Sequence, residues 1–130
     1  MTERHAECQC GQLCVDVSGE PIRISVCHCL NCQRRSGSAF AAQARFEDKD
    51  VTITGNATDW TRTGDNGSMT QSFCATCGSS LYYRNENLPG QIAIPLGAFA
   101  DPTFPPPHFS VFENRRHVWV SITGDDIEHD

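Results

Sequence analysis

The chain has 130 residues, eight cysteines and a formal net charge of -6. This length predicts a single domain over residues 1–130, with a modest core that a bound metal would help to stabilise. An acidic chain argues against nucleic-acid binding, and no apolar run is long enough for a membrane span or a signal peptide. We therefore expect a cytoplasmic protein with reduced cysteines and with neither a nucleic-acid nor a membrane partner.

Alternating apolar residues predict short strands along most of the chain. The first two are Leu13–Val17, ended by Gly19, and Ile22–Val26, which leads directly into Cys27. Further strands are predicted at residues 39–46, 50–54, 60–63, 69–73, 81–84, 91–96, 108–112 and 118–122. A turn is expected at Gly55-Asn56, and residues 64–67 (GDNG) read as a hairpin loop.

Helical pattern is confined to one or two turns at Leu30–Ser36, which Gly37 ends. The proline run at residues 105–107 predicts an extended connector. The elements together predict an all-β fold, a single small domain of short antiparallel strands and hairpins held together by zinc.

The cysteines form short clusters. They are Cys8 and Cys10, then Cys27, Cys29 and Cys32, and finally Cys74 and Cys77. Thiolates at such spacings in a reducing compartment usually converge on zinc. Disulfides are disfavoured by the expected compartment and by the small rings that a C-x-C pair would close. The remaining cysteine, Cys14, lies in a predicted strand and reads as a half-buried residue rather than a ligand.

The two outer pairs predict one closed zinc site with four thiolates. A glycine follows each pair, Gly11 after Cys10 and Gly78 after Cys77, and permits backbone conformations that a turn presenting thiolates requires. Such a site would contribute folding free energy and would have no position left for chemistry. The alternative is two unrelated loops with free thiols.

The triplet predicts a second zinc site with an open fourth position. Water or a substrate thiol could occupy it, and zinc would hold that thiol as the nucleophilic thiolate. Alternatively, Cys14 or His28 closes the site, although His28 should point away from its neighbours in an extended C-x-C. A Cys29–Cys32 redox dithiol lacks the expected βαβ context, and an iron–sulfur cluster usually takes four cysteines.

These motifs resemble those of the glutathione-dependent formaldehyde-activating enzyme family, which is also named for its centromere protein V relatives. The matching segments are C-x-C-G at residues 8–11, S-G-E-P at 18–21, V-C-H-C-x-x-C-x-R at 26–34, S-G-S-A-F at 36–40 and F-C-x-x-C-G-S at 73–79. They occur in the family's order and span about residues 5–122, whereas the part after His108 matches only loosely.

The resemblance implies a mostly β fold and a zinc-dependent carbon–sulfur lyase that joins glutathione to formaldehyde, giving S-hydroxymethylglutathione. It implies that the outer pairs hold a structural zinc and that Cys27, Cys29 and Cys32 hold a catalytic zinc. Arg34 and Arg35 are candidates for pairing with the carboxylates of glutathione, with plain surface arginines as the alternative. His28, His108 and His117 are candidate general bases by residue type alone.

Two other classes of function stay open at this point. A zinc-containing binding module without chemistry would hold a thiol, a carrier or a protein partner. A zinc-ribbon nucleic-acid binder is disfavoured by the acidic charge and the scattered arginines. The sequence predicts no particular oligomeric state.

Overall fold

The computed structural model describes residues 2–65 and 67–130, which are mostly β-strands. In chain order the strands are β1 (Glu3–Glu7), β2 (Cys14–Ser18), β3 (Arg23–Cys27), β4 (Ala41–Glu47), β5 (Val51–Thr54), β6 (Thr58–Gly64), β7 (Gly67–Phe73), β8 (Ser80–Asn85), β9 (Gln91–Pro95), β10 (Phe109–Val111) and β11 (Glu128–His129). One short helix, α1 (Leu30–Ser36), follows β3, and 3-10 turns lie at Asp48–Asp50, Leu96–Phe99 and Glu113–Arg115.

The strands form a small sheet and a large sheet. The small sheet has the order β1-β2-β5, and the large sheet has the order β11-β10-β3-β4-β9-β8-β7-β6. Neighbouring strands are antiparallel except around β10, which runs parallel to both β3 and β11. The parallel pairs arise because the connections from β9 to β10 and from β10 to β11 are long and are not hairpins.

The core lies between the two sheets and follows from the alternation of side chains along each strand. Val15 and Val17 of the small sheet and Ile24, Phe46 and Ile94 of the large sheet are almost completely buried in one cluster. Each fully buried aliphatic side chain contributes about 1.5–3 kcal/mol to folding. Cys8 and Cys74 belong to the same cluster, so the cysteine pairs are anchored in the core.

The opposite side of the large sheet, which we call the outer face, carries polar residues. Because successive side chains alternate between faces, Ser25 and Cys27 of β3 lie on it together with Gln43 and Arg45 of β4. Tyr83 of β8 is on this face too. The side chains of Ser25, Gln43 and Tyr83 are buried, and α1 packs against β4.

Three sequence expectations differ from the structure. β1 was not predicted, because Ala6 is its only apolar residue, and it forms by pairing with β2 from Glu3–Ser18 to Glu7–Cys14. The strand predicted at 118–122 is wrong: residues 118 and 119 form a turn, and their side chains are 95% and 73% exposed, so the alternation has no sheet to face. Asn66 of the predicted hairpin loop lies outside the described residues, while the flanking Gly64 and Gly67 pair as β6 meets β7.

No helix in residues 2–65 or 67–130 has the length and apolar character that a membrane span needs.

Candidate metal centres

The two outer cysteine pairs lie on turns that have the same pattern of backbone hydrogen bonds. In the first, the amide N–H of Cys8 donates to the Leu13 carbonyl (2.9 Å), and that of Gly11 donates to the Cys8 carbonyl (3.0 Å). In the second, Cys74 donates to Ser79 (2.9 Å) and Gly78 to Cys74 (2.7 Å). Gly11 and Gly78 have φ values of 84° and 82°, a region that side chains resist. Each turn therefore directs two sulfurs to the same side.

The structure brings the four sulfurs of these turns together. The Sγ atom of Cys10 lies 3.6 Å from that of Cys8 and 3.7 Å from that of Cys74. All four Sγ atoms, including that of Cys77, are within 4.8 Å of one another. Tetrahedral zinc with Zn–S bonds of about 2.3 Å requires sulfurs about 3.8 Å apart. The four thiolates thus fit a closed tetrahedral metal site.

Hydrogen bonds to the sulfurs favour the thiolate form. The side-chain amide of Gln12 donates to the Cys74 sulfur (3.0 Å) and is the main cause that lowers the pKa of Cys74 to about 7. The Ser79 hydroxyl, 3.3 Å from the Cys77 sulfur, and the Ser79 amide lower the pKa of Cys77 to about 5. The Leu13 amide donates to the Cys8 sulfur (3.3 Å). Donors of this kind also tune the strength of a metal–thiolate bond.

The triplet is formed where β3 ends and α1 begins. Cys27 is the last residue of β3, and Cys29 caps the helix, with its sulfur accepting from the Cys32 amide (3.3 Å). The helix then ends after two turns at Gly37, whose φ is 70°. The three Sγ atoms lie within 4.8 Å of one another, with Cys27 buried and the other two half-buried. Three sulfurs on one side leave a fourth tetrahedral position without a protein ligand among the described residues.

Arg35 lies against this triplet. A guanidinium nitrogen of Arg35 is 3.5 Å from the Cys32 sulfur, and the guanidinium stacks 4.4 Å from the centre of the Tyr83 ring. The pKa of Cys32 is lowered to about 5, mainly by a hydrogen bond from the Cys27 thiol and to a smaller extent by Arg35. The same hydrogen bond between the two sulfurs raises the pKa of Cys27. Arg34, the preceding residue of α1, is exposed.

The remaining candidates lie outside both sulfur groups. His28 is fully buried, its Nε2 bonds to the Ser110 hydroxyl (2.9 Å), and burial lowers its pKa. The Cys14 thiol donates to the Gly11 carbonyl (3.3 Å), and burial raises its pKa. His117 bonds to Gln33 (2.9 Å), and His108 is exposed. In the described parts of the chain, neither Cys14 nor His28 joins the triplet.

A cleft of about 500 Å³ lies between the end of α1 and the second cysteine turn. Arg35 of α1, Ala41 of β4, Ser79 beside the second cysteine turn and Pro95 of β9 are among the residues that line it. The cleft passes from the end of the triplet helix to the C-x-x-C turn.

Sequence reasoning missed Gln12, Gln43 and Tyr83. Gln12 comes directly after the C-x-C-G motif, and this position is the local signal by which it could have been found. Gln43 and Tyr83 lie far from the cysteines in sequence and reach the site through strand pairing, so no local pattern identified them.

The fold and the two centres define a class of protein. It is a small β protein with one closed group of four cysteine sulfurs and one open group of three.

The chain belongs to the family described as glutathione-dependent formaldehyde-activating enzyme, whose model matches residues 3–120. A crystal structure of a Rhodobacter sphaeroides protein has a similar fold, with a TM-score of 0.59 and 22% sequence identity. That alignment covers 78% of this chain and 91% of the other. No match to a curated protein was found.

Proposed function

We propose that this protein is a zinc-dependent enzyme of the carbon–sulfur lyase type, which joins glutathione or another small thiol to formaldehyde. The product with glutathione is S-hydroxymethylglutathione. The observation that carries this proposal is the group of three convergent sulfurs with a fourth position left open, in a chain whose family is linked to glutathione and formaldehyde.

The two sulfur groups have different roles in this proposal. Cys8, Cys10, Cys74 and Cys77 hold a structural zinc, and Cys27, Cys29 and Cys32 hold a catalytic zinc. When bound at the triplet, zinc lowers the pKa of a thiol at the open position and keeps it as a thiolate at neutral pH. Arg35 offsets part of the negative charge of the three thiolates, since its guanidinium lies 3.5 Å from Cys32.

The reaction forms one carbon–sulfur bond. The thiolate sulfur attacks the carbon of formaldehyde, and the electron pair of the C=O π bond moves to the oxygen, which then takes a proton. The thiol loses one proton and the new hydroxyl gains one, so no oxidant or reductant is consumed. The protein contributes by holding the thiol in its reactive form and by orienting it in the cleft.

The arginines near the triplet are candidates for binding glutathione. In this proposal Arg35, which lines the cleft, pairs with a carboxylate of glutathione, and Arg34, which is exposed and is absent from the cleft lining, is a weaker candidate. A reducing compartment such as the cytoplasm would keep these thiols reduced and supply glutathione. We propose that residues 1–130 act as one domain.

The direct test is Cys32→Ser, with Cys14→Ser as the matched control. Wild type and the control should bind two zinc ions per chain and accelerate glutathione–formaldehyde exchange, measured by NMR against the uncatalysed rate. Cys32→Ser should keep one zinc and lose the acceleration. Retained acceleration in Cys32→Ser would contradict the proposal. Two zincs, no acceleration and a triplet metal insensitive to excess glutathione would instead favour a non-catalytic binding module.

A further inference from the structure

His28 is the residue between the first two cysteines of the triplet, and it is held at three points. Its amide N–H donates to the Val111 carbonyl (3.0 Å), and its own carbonyl accepts from the side-chain amide of Gln33 (2.8 Å). Its ring Nε2 bonds to the Ser110 hydroxyl (2.9 Å). The backbone that joins these two cysteines cannot shift without disturbing one of these bonds, so the groups that hold His28 also set the spacing of the two sulfurs.

The segment that follows β10 also holds the helix that carries the third cysteine. The side-chain amide of Gln33 in α1 donates to the Arg115 carbonyl (3.1 Å) as well as to that of His28. The oxygen of the same amide lies 2.9 Å from Nε2 of His117. Gln33 directly follows Cys32 in the helix. β10 and the turn after it therefore contact the chain beside each of the three triplet cysteines.

β10 has only three residues and is paired on both sides, with β3 and with β11. From β11, the amide of Glu128 donates to the His108 carbonyl and that of Asp130 donates to the Ser110 carbonyl, both at 2.9 Å. The amide of Glu113 donates in return to the Asp130 carbonyl (2.9 Å). The last strand is thus bonded to residues before, within and after β10.

A series of side-chain hydrogen bonds connects β11 with His28. Nδ1 of His129 is 2.7 Å from a carboxylate oxygen of Glu113, and the Ser110 hydroxyl donates to the same oxygen (2.6 Å). A hydroxyl has one proton, so Ser110 accepts from Nε2 of His28. Ser110 and His28 are both 0% exposed, whereas His129 is exposed. Because water does not reach the buried end, a bond lost there is costly unless His28 or Ser110 moves.

We propose that β11 sets how tightly the triplet holds its metal, and that His129, Glu113 and Ser110 are positioning residues that act through His28. This inference rests on the proposed function only in requiring a metal at the triplet. Groups that orient a metal ligand without touching the metal change its affinity, and here they orient the residue between two of the ligands. β11 lies beyond residues 3–120, so the family match carries no information about this strand.

Zinc competition with a coloured chelator tests the inference without measuring activity, and the triplet zinc is the one that Cys32→Ser lacks. Ser110→Ala should weaken its binding about tenfold, the lower end of the effect of an outer-sphere partner. His129→Ala should weaken it about fivefold, the lower end of couplings between separate sites. Glu128→Ala is the matched control, because Glu128 is exposed on the same strand and both substitutions keep the backbone bonds of β11. Equal triplet affinity in His129→Ala and Glu128→Ala would overturn the inference.

A double variant that combines Ser110→Ala with His129→Ala tests the route of the effect. Ser110→Ala already disconnects the His28 ring from Glu113, so adding His129→Ala should weaken binding of the triplet zinc no further. Losses of affinity that add up in the double variant would show that His129 does not act through Ser110 and would overturn the inference.

The four-sulfur group separates positioning from general stability. In the described parts of the chain, the hydrogen bonds to its sulfurs come from residues outside β10 and β11, so all the variants should retain its zinc equally. In cobalt-substituted protein, Ser110→Ala should change the ligand-field bands of the triplet metal, because these bands depend on the arrangement of the ligands. Parallel loss of both metals, or unchanged triplet bands, would show that the network is merely structural and would overturn the inference.

The outcomes distinguish this inference from the proposed reaction. Triplet affinity that depends on His129, without acceleration of glutathione–formaldehyde exchange by wild type, would support the inference and overturn the reaction. Acceleration by wild type, with equal triplet affinity in His129→Ala and Glu128→Ala, would leave the reaction standing and overturn the inference.

Discussion

At the scale of single residues, the four-sulfur group depends on polar neighbours as well as on cysteine spacing. Gln12 is the central example. Its amide nitrogen donates to the Cys74 sulfur (3.0 Å) and to the Asn56 carbonyl (2.7 Å), and its oxygen accepts from the Asn56 amide (2.9 Å). One side chain therefore joins the first cysteine turn, the second cysteine turn and the loop after β5.

We expect Gln12→Met to weaken metal retention while preserving the cysteines. Removing a donor next to a metal ligand typically lowers metal affinity about 10–100-fold. The readout is the rate of zinc transfer to a coloured chelator. Gln9→Met is the control, because only the backbone N–H of Gln9 takes part, donating to Ser79 (3.0 Å). Equal transfer rates in the two variants would show that the Gln12 hydrogen bond is unimportant.

At the scale of elements, the end of β5 is packed directly against the first cysteine turn. Gly55 has a φ of 99°, and a Cβ atom there would lie 2.0 Å from the Gln12 carbonyl oxygen. Such an approach is possible only for glycine. The contact positions the loop that Gln12 binds, so the small sheet and the four-sulfur group support each other.

Gly55→Ala should therefore destabilise the protein by more than about 3 kcal/mol, since the backbone of the turn must move. Gly90→Ala is a matched control: its φ is 78°, but no atom lies within 4 Å of the added Cβ. It should cost about 1–2 kcal/mol from conformational strain alone. Urea unfolding measures both free energies, and equal losses would contradict the steric argument.

The C-terminal strand is held by a second polar network. Glu113 accepts hydrogen bonds from the Ser110 hydroxyl (2.6 Å) and from His129 of β11 (2.7 Å). Because Ser110 donates to Glu113, it accepts from Nε2 of the buried His28 (2.9 Å). The hydrogen bond from His129, followed by that from Ser110, lowers the pKa of Glu113 below its ordinary value of 4.5.

A lowered carboxyl pKa predicts how Glu113→Gln changes stability with pH. The ionised carboxylate stabilises the fold above pH 4.5, and this contribution is lost as the pH falls through the lower pKa of the folded state. The variant should be about 1–2 kcal/mol less stable at neutral pH, and the difference should shrink in acid. Urea unfolding across pH tests this, with the exposed Glu128→Gln as control. A difference independent of pH would contradict it.

At the scale of the whole molecule, the hydrophobic core and the four-sulfur group are continuous. Cys8 and Cys74 are buried among the same side chains as Val15 and Ile94, whereas the triplet lies at the end of β3. Without a metal, the four sulfurs would be crowded thiols beside the core. The proposed structural zinc thus contributes to folding itself, and the triplet metal much less.

Removing all metal with a strong chelator should lower the melting temperature by more than about 10 °C, because a structural zinc contributes several kcal/mol to folding. Adding zinc back under reducing conditions should restore it. Cys32→Ser, which keeps the four-sulfur group, should change the melting temperature far less. Circular dichroism follows the transition, and similar losses in both cases would show that the triplet metal is equally structural.

Much of the local structure was predictable from sequence. Runs such as Ile22–Val26 alternate with period two and appear as β3, and the short helix begins and ends at Leu30–Ser36 as expected. The cysteines within each cluster are neighbours in the chain, so their convergence follows from turn geometry. The prediction failed at residues 3–7 and 118–122, where the presence or absence of a partner strand outweighed the local pattern.

The sequence by itself determined the short strands and the cysteine spacing within each cluster, because these depend on neighbouring residues, whereas the convergence of the two outer pairs across 64 residues needed the tertiary structure. Only the tertiary structure decided which distant groups surround the sulfurs. Gln12 reaches Cys74 across 62 residues, and Gln43 and Tyr83 reach the triplet through strand register. Register depends on burial and pairing summed over whole sheets, and no short segment of sequence contains that information.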